Sequence, residues 1–248
     1  MMFRHRLIVA FISGWMCLPA LAQTTSPATQ PIKESPTEPV PKRGPKAEVF
    51  MQRHEENVAR AKQGDVELLF LGDSITAGWP KAKEAWEKNY GQWKTANFGI
   101  GGDHTQHVLW RIMNGELDGI APRVVVLLIG TNNTGTSQTP DAIADGVARI
   151  VQTIQTKSPD TRVLLLAVFP REKGTPEQCA KVEPINQRLA KLDNGKSVRY
   201  LDLHERFVDA SGKIPAELMP DGLHPSAAGY RIWADSMLPL LVEMMGGK

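Results

Sequence analysis

The chain is poor in cysteine, in aromatic side chains and in excess charge of either sign. Its 248 residues include two cysteines and 6% aromatic residues, and 29 Lys and Arg stand against 27 Asp and Glu. Two cysteines cannot form a disulfide scaffold or fill a cysteine-rich zinc site. The even charge balance argues against nucleic acid or an anionic membrane as a partner, because both need clustered Lys and Arg. With 42% hydrophobic residues, the chain is expected to be a soluble globular protein.

The first 22 residues have the pattern of a secretory signal peptide. Residues 4–6 are Arg-His-Arg, residues 7–18 form an apolar run, and residues 20–22 are Ala-Leu-Ala, a small-x-small cleavage site. The apolar run is shorter than the roughly 20 residues that span a bilayer. A buried N-terminal helix is the alternative, and Gly14 and Pro19 argue against it. The pattern predicts an exported protein, periplasmic or extracellular, without a stable membrane anchor.

Residues 23–46 are rich in proline. Six prolines stand there among Thr, Ser, Glu and Lys, with few apolar neighbours to offset the entropy lost on ordering. We therefore expect an extended, mobile linker, and a recognition segment for a proline-binding groove is the alternative. The folded domain is then expected to cover residues 47–248.

The rest of the chain alternates between strand and helix patterns. Continuous apolar runs with β-branched residues are typical of strands buried on both faces of a parallel sheet. The predicted strands are residues 66–71, 95–98, 124–129, 162–168 and 198–201, and the predicted helices are residues 84–90, 104–113, 141–156, 176–192 and about 226–244. This alternation predicts a three-layer α/β/α sandwich around a mostly parallel, five-stranded sheet. In such folds ligands bind at the carboxyl ends of the strands.

Two motifs located just after predicted strands carry groups suited to nucleophilic catalysis. Gly72-Asp73-Ser74-Ile75-Thr76 places a serine at a strand-to-helix turn, where its hydroxyl and its backbone N–H both face the crevice. It differs from the G-x-S-x-G elbow because Thr76 replaces the second glycine, and ordinary turn chemistry is the alternative. Gly130-Thr131-Asn132-Asn133 places asparagine amides at a strand end, where they could bind an oxyanion or form an Asx-turn cap.

Two further motifs complete the pattern. The stretch from Asn97 to Asp103 contains three glycines, which allow a ligand to approach the backbone closely. A dinucleotide fingerprint would need another glycine at His104, so that interpretation fails. Near the C-terminus, Asp221 and His224 lie three residues apart, close enough for the carboxylate to orient the imidazole on one turn.

These four motifs, in this order, resemble those of the SGNH (GDSL-type) hydrolase superfamily, and the resemblance covers roughly residues 66–244. The stretches 97–103, 105–111, 114–117 and 130–133 are also similar to the catalytic subunits of platelet-activating-factor acetylhydrolases. The export signal and the linker depart from those subunits, which are cytosolic. The resemblance implies an SGNH, flavodoxin-like fold and a carboxylic ester hydrolase that needs neither a metal nor an organic cofactor.

The resemblance also implies a role for each motif residue. Ser74 would be the nucleophile, His224 the general base and then the acid, and Asp221 the group that orients His224. The oxyanion hole would comprise the backbone N–H groups of Ser74 and Gly102 and the side-chain amide of Asn132.

Some neighbouring residues are expected to shape the site. Ile75, Trp79 and Leu223 are predicted to line the substrate pocket, because they flank the nucleophile or the base. His104 and His107 are three residues apart, but no third ligand stands out, so no metal site is predicted.

The sequence therefore predicts an exported serine esterase that hydrolyses short-chain carboxylic esters of glycans or similar alcohols, with acetyl as the expected acyl group. A lysophospholipase or platelet-activating-factor-like acetylhydrolase is the first alternative. A non-catalytic glycan-binding module is the second, and the presence of both Ser74 and His224 argues against it. The sequence makes no prediction of oligomeric state.

Overall fold

The computed structural model describes Met2 and residues 34–246. The predicted signal peptide, apart from Met2, and residues 23–33 of the predicted linker lie outside the described residues. Among the described helices, none has both the length and the apolar composition needed to cross a bilayer.

A parallel sheet lies at the centre of residues 34–246. Its strands are β1 Leu68–Gly72, β2 Thr95–Gly99, β3 Val124–Leu128, β4 Arg162–Leu166 and β5 Val198–Leu201. They lie in the order β2-β1-β3-β4-β5, and each neighbouring pair is parallel. β1 and β3 are buried at every position, as their continuous apolar runs predict. The carboxyl ends of the strands therefore meet at one edge of the sheet.

Helices cover both faces of this sheet. They are α1 Ala47–Lys62, α2 Ser74–Ala77, α3 Lys83–Tyr90, α4 Thr105–Arg111, α5 Pro140–Lys157, α6 Pro176–Ala180, α7 Val182–Leu189, α8 His204–Phe207 and α9 Ala227–Met244. Short 3₁₀ turns occupy Gly44–Lys46, Trp79–Ala82, Asn132–Gly135 and Ala190–Leu192, and a π turn occupies Ile112–Glu116.

The core has two halves, one on each face of the sheet. Leu69 and Leu71 of β1 belong to a cluster with side chains of α4, α5 and α7. Leu68 and Phe70, which alternate with them, belong to a cluster with side chains of α3, α8 and α9. The predicted three-layer α/β/α sandwich with a five-stranded parallel sheet is confirmed.

Two helical segments differ from the prediction. α1 was not predicted, because it is largely polar and buries only Phe50, His54 and Ala61. The helix predicted over residues 176–192 is divided at Lys181 into α6, which the Thr175 side chain caps, and α7, which has no side-chain cap.

The second half of the predicted linker is part of the domain, which corrects the expected boundary at residue 46. We call residues 34–46 the N-terminal strap. The buried Thr105 hydroxyl donates to the Pro36 carbonyl (3.1 Å), and Gln138 Nε2 donates to the Glu34 carbonyl (2.9 Å). The Val40 N–H donates to the Gln106 carbonyl (3.3 Å). The strap is ordered because its backbone pairs with polar groups that the domain would otherwise bury without partners.

Candidate active site

Contacts from three elements hold the serine motif. Ser74 is the first residue of α2, and Asp73 caps that helix because its Oδ1 accepts the Ile75 N–H (2.9 Å). Asn97 Nδ2 at β2 donates to the Thr76 carbonyl (2.8 Å), and the Tyr230 hydroxyl of α9 donates to the Ile75 carbonyl (2.6 Å). The nucleophile turn is therefore held by its own helix cap, by β2 and by α9.

Ser74, His224 and Asp221 form a continuous hydrogen-bonded chain. Ser74 Oγ lies 3.0 Å from His224 Nε2, and His224 Nδ1 lies 2.8 Å from Asp221 Oδ2. Asp221 Oδ1 also accepts the backbone N–H of His224 (2.8 Å). The turn immediately before α9 thus places the imidazole beside a serine 150 positions earlier in the chain. The geometry is that of a nucleophile, a base and the group that orients the base.

Lys173 is a fourth charged group at this chain of residues. Its Nζ lies 2.8 Å from Asp221 Oδ2, the same oxygen that His224 Nδ1 contacts. Partial burial raises the pKa of the Asp221 carboxyl, but hydrogen bonds from Lys173 and His224 outweigh burial and hold that pKa well below its usual range. Asp221 therefore remains ionised at any pH at which an imidazole can act as a base.

The glycine turn between β2 and α4 lies beside Ser74. A Cβ placed on Gly101 would lie 3.9 Å from Ser74 Cβ, and Gly102 has a φ of +74°, the left-handed conformation that favours glycine. Among the described residues, no acceptor is recorded for the backbone N–H groups of Ser74, Gly101 and Gly102. Unpaired N–H groups on neighbouring turns are what an oxyanion hole requires.

Asn132 lies at the same edge, but its amide already has two acceptors. Nδ2 lies 2.9 Å from the Asp103 carbonyl oxygen and 3.3 Å from Asp73 Oδ2. Complete burial raises the pKa of Asp73 to about 7, although the hydrogen bond from Ile75 lowers it. Donation from Asn132 to an oxyanion would therefore replace one of these contacts, and the longer contact to Asp73 is the weaker of the two.

Asn133 lies in the turn Asn132–Gly135 beside Asn132, and its side chain binds away from the nucleophile. Its side chain is fully buried: Oδ1 accepts the Thr105 N–H (3.0 Å), and Nδ2 lies 2.8 Å from Gln138 Oε1 and 3.2 Å from Gln106 Oε1. Asn133 therefore joins the oxyanion side of the site to α4 and stabilises the structure there.

Two of the three predicted pocket residues lie in the core. Ile75 is 1% exposed and Trp79 is 2% exposed, and Trp79 packs against the rings of Phe70 and Trp233. The turn that presents Ser74 to the crevice directs Ile75 inward, and Trp79 fills the space under α9. Leu223, the third, is 8% exposed.

A cleft of about 520 Å³ opens beside the glycine turn. Its lining includes Gly101, Phe50 and Arg53 of α1, and Lys42 and Lys46 of the N-terminal strap. The side of the cleft formed by α1 and the N-terminal strap was not predicted, because neither segment was expected to form a helix or to pack against the domain.

His104 and His107 stack on each other, with ring centroids 5.0 Å apart. The His104 N–H donates to His107 Nδ1 (3.1 Å), and burial lowers the pKa of His107 to about 3. In the part of the chain that the structure describes, no group of three or more His, Cys, Asp or Glu has the arrangement of a metal site. At the start of α4, the Nδ1 of His107 thus binds a backbone N–H that precedes the helix.

A serine, a histidine and an aspartate joined at the carboxyl edge of a parallel sheet are typical of a hydrolase with a serine nucleophile. Residues 70–232 match the GDSL-like Lipase/Acylhydrolase family, and the chain belongs to that family. It is therefore a carboxylic ester hydrolase, and the resemblance inferred from the sequence is confirmed.

Two individual relatives and one solved structure are similar to most of the chain. The chain is 36% identical over 200 residues to platelet-activating factor acetylhydrolase IB subunit alpha2 of Rattus norvegicus, covering 79% of this chain and 85% of the relative. It is 35% identical over 197 residues to the alpha1 subunit of Homo sapiens, covering 79% and 84%. A GDSL-like lipase from Bacteroides thetaiotaomicron has the same fold, with a TM-score of 0.63 and 19% identity over 78% of this chain and 97% of that structure.

Proposed function

We propose that the protein is an exported serine esterase that removes acetyl and other short acyl groups from alcohols, with Ser74 as nucleophile. The observation that carries this proposal is the unbroken hydrogen-bonded chain from Ser74 through His224 to Asp221. Export is inferred from the signal-peptide pattern of residues 1–22.

The hydrogen-bonded chain determines the chemistry. Ser74 Oγ attacks the ester carbonyl carbon while His224 Nε2 takes the serine proton, and Asp221 stabilises the imidazolium that forms. His224 then gives this proton to the leaving alcohol, and the acyl group stays on Ser74. A water molecule, deprotonated by His224, attacks the acyl carbon, and Ser74 regains its proton as the carboxylic acid leaves.

The oxyanion of each tetrahedral intermediate would be bound by the backbone N–H groups of Ser74 and Gly102 and by the Asn132 amide. Support comes from the absence of recorded acceptors for the two backbone N–H groups among residues 34–246. Asn132 would turn from Asp73 toward the oxyanion, while its contact with the Asp103 carbonyl is kept.

Acetylated glycans are the alcohol class we propose. The cleft beside Gly101 has an ammonium group from Lys46 and a guanidinium group from Arg53 next to apolar side chains, and donors of this kind can bind sugar hydroxyls. The second candidate is a platelet-activating-factor-like phospholipid, which the names of the curated relatives favour.

Acyl selectivity tests the proposal. Leu223, the neighbour of His224, is almost fully buried, and we propose that its branched side chain restricts the acyl group to a short chain. With p-nitrophenyl esters, acetate should have the highest kcat/KM, and butyrate should be slower by about tenfold or more. Faster hydrolysis of the octanoate than of the acetate would contradict a short-acyl esterase.

A second panel of substrates tests which class of alcohol the enzyme releases. Peracetylated and mono-acetylated xylose and glucosamine are compared with an ether phospholipid that carries a 2-acetyl group, and released acetate is measured. We expect the sugars to have the higher kcat/KM. A higher value for the phospholipid would favour the second candidate. Ser74→Ala protein provides the blank for every substrate.

Asn132→Ala should lower kcat by about 10²–10³-fold with little change in KM, because the lost amide acts on the transition state. Asn133→Ala is the matched comparison: it should lower the thermal unfolding midpoint, because it leaves the partners of a buried amide unpaired. If Asn133→Ala reduced kcat per folded molecule more than Asn132→Ala did, Asn132 would not be the oxyanion residue.

A further inference from the structure

Lys42 brings a buried ammonium group from the N-terminal strap into the active-site edge. Its side chain is 8% exposed, and its Nζ donates to the Gly101 carbonyl oxygen at 2.8 Å. The same Nζ forms an ion pair with Asp103 Oδ1, also at 2.8 Å. One amino group therefore contacts both residues that flank Gly102.

This contact needs an explanation beyond charge neutralisation. Lysine is rarely buried, because removing an ammonium group from water is costly. Asp103 already has a buried cation, since Arg111 Nε donates to its Oδ2 at 2.8 Å, and Glu116 pairs with Arg111 in turn. Lys42 also lies outside residues 70–232, the region that matches the family. Lys42 is thus a second cation at the Asp103 carboxylate, which already forms an ion pair with Arg111.

Because of the geometry of the peptide bond, the contact between Lys42 and the Gly101 carbonyl also affects the N–H of Gly102. The Gly101 carbonyl and the Gly102 N–H belong to one planar trans peptide unit, in which they point in opposite directions. An ammonium group on the Gly101 oxygen therefore fixes the direction of the Gly102 N–H, away from Lys42, and polarises that N–H as a donor.

The ion pair between Lys42 and Asp103 also affects the position of the Asn132 amide. The backbone carbonyl of Asp103 accepts from Asn132 Nδ2 at 2.9 Å, while the Asp103 carboxylate is bound by Lys42 and Arg111. Movement of Asp103 would displace the Asn132 amide. Two of the three groups that we assign to the oxyanion hole thus depend on residues that Lys42 contacts.

We propose that Lys42 is a positioning residue for the oxyanion hole: it orients the Gly102 N–H through the Gly101 carbonyl and the Asn132 amide through Asp103. The inference rests on the proposed function, because it acts on the oxyanion groups of that mechanism. It also gives the N-terminal strap a part in catalysis.

Lys42→Met in the full chain is the test variant, because methionine keeps the length of the side chain and removes the ammonium group. With p-nitrophenyl acetate, kcat per active site should fall by about 10- to 100-fold while KM changes less than about threefold. Active sites are counted by stoichiometric labelling with diisopropyl fluorophosphate, so that misfolded molecules do not enter kcat. Arg43→Met is the matched control, because Arg43 is an exposed cation of the same strap, and it should keep the wild-type kcat.

A double-mutant cycle with Asn132→Ala separates positioning from stability. If Lys42 acts through the oxyanion groups, the kcat loss of the double variant should be at least about threefold smaller than the product of the single losses. Should Lys42→Met not fold, Lys42→Gln takes its place in the cycle, since its amide can donate to Gly101 without a charge, and a smaller loss of kcat is expected.

Each outcome decides a separate claim. An unchanged kcat per active site in Lys42→Met, a change confined to KM, or losses that multiply in the cycle would overturn the role of Lys42 and leave the esterase intact. Activity that survives in Ser74→Ala would instead overturn the proposed function.

Discussion

Ser74→Ala should lower kcat by about 10⁴-fold or more, with the folded structure unchanged. The mutation removes the oxygen that attacks the ester, and losses of this size are usual for members of a catalytic triad. The Ser74 hydroxyl contacts His224 at the surface of the site and contributes little to core packing. The measurement is steady-state hydrolysis of p-nitrophenyl acetate together with thermal unfolding of the same preparation.

Ser211→Ala is the matched control, because Ser211 is an exposed loop serine, and it should keep full activity. If purified Ser74→Ala kept more than about a tenth of the wild-type kcat, Ser74 would not be the nucleophile.

Asp221→Asn should lower kcat by about 10³- to 10⁴-fold, the second-largest expected loss. An asparagine at this position can donate to His224 Nδ1 and so favour the tautomer in which Nε2 carries the proton and cannot accept one from Ser74. Asp118→Asn is the control, because Asp118 is an exposed carboxylate that pairs with Lys157.

The pH profile gives the Asp221 experiment a second measurement. The contacts from Lys173 and His224 hold the pKa of Asp221 well below its usual range, so this carboxyl does not titrate between pH 5 and 9. The acidic limb of kcat/KM in the wild type should then report the general base of the mechanism and not Asp221, and a neighbouring carboxylate favours the protonated form of a base. In Asp221→Asn that limb should move to lower pH. A wild-type profile that is flat from pH 5 to 9, with chemistry rate-limiting, would contradict His224 as the base.

The strands and the triad could be predicted because their signals are local. β1 and β3 are continuous apolar runs that a parallel sheet requires, and the parallel order brings the residues at the carboxyl end of each strand to one edge. Ser74 lies just after β1, and Asp221 and His224 lie on one turn before α9. These local motifs, together with the family resemblance, therefore indicated the three residues that the structure joins by hydrogen bonds.

The N-terminal strap and α1 left no such signal. The strap binds through backbone carbonyls of Glu34 and Pro36, and every residue type has a carbonyl. α1 buries few apolar side chains, so its pattern does not mark an amphipathic helix. Ile75 and Trp79 were predicted to line the substrate pocket but lie in the core, because residue type does not tell which way a side chain points. The direction of Ile75 is set by the tight turn after β1.

The most direct test of the account is covalent labelling of the wild-type protein with diisopropyl fluorophosphate, which joins phosphorus to an activated serine oxygen and releases fluoride. Intact mass should show one adduct per chain, peptide mapping should place it on Ser74, and residual activity should fall in proportion to the labelled fraction. His224→Ala protein should label far more slowly under the same conditions, because no base is left to activate the hydroxyl. Stoichiometric labelling at any other residue, or full activity in protein labelled at Ser74, would contradict the account.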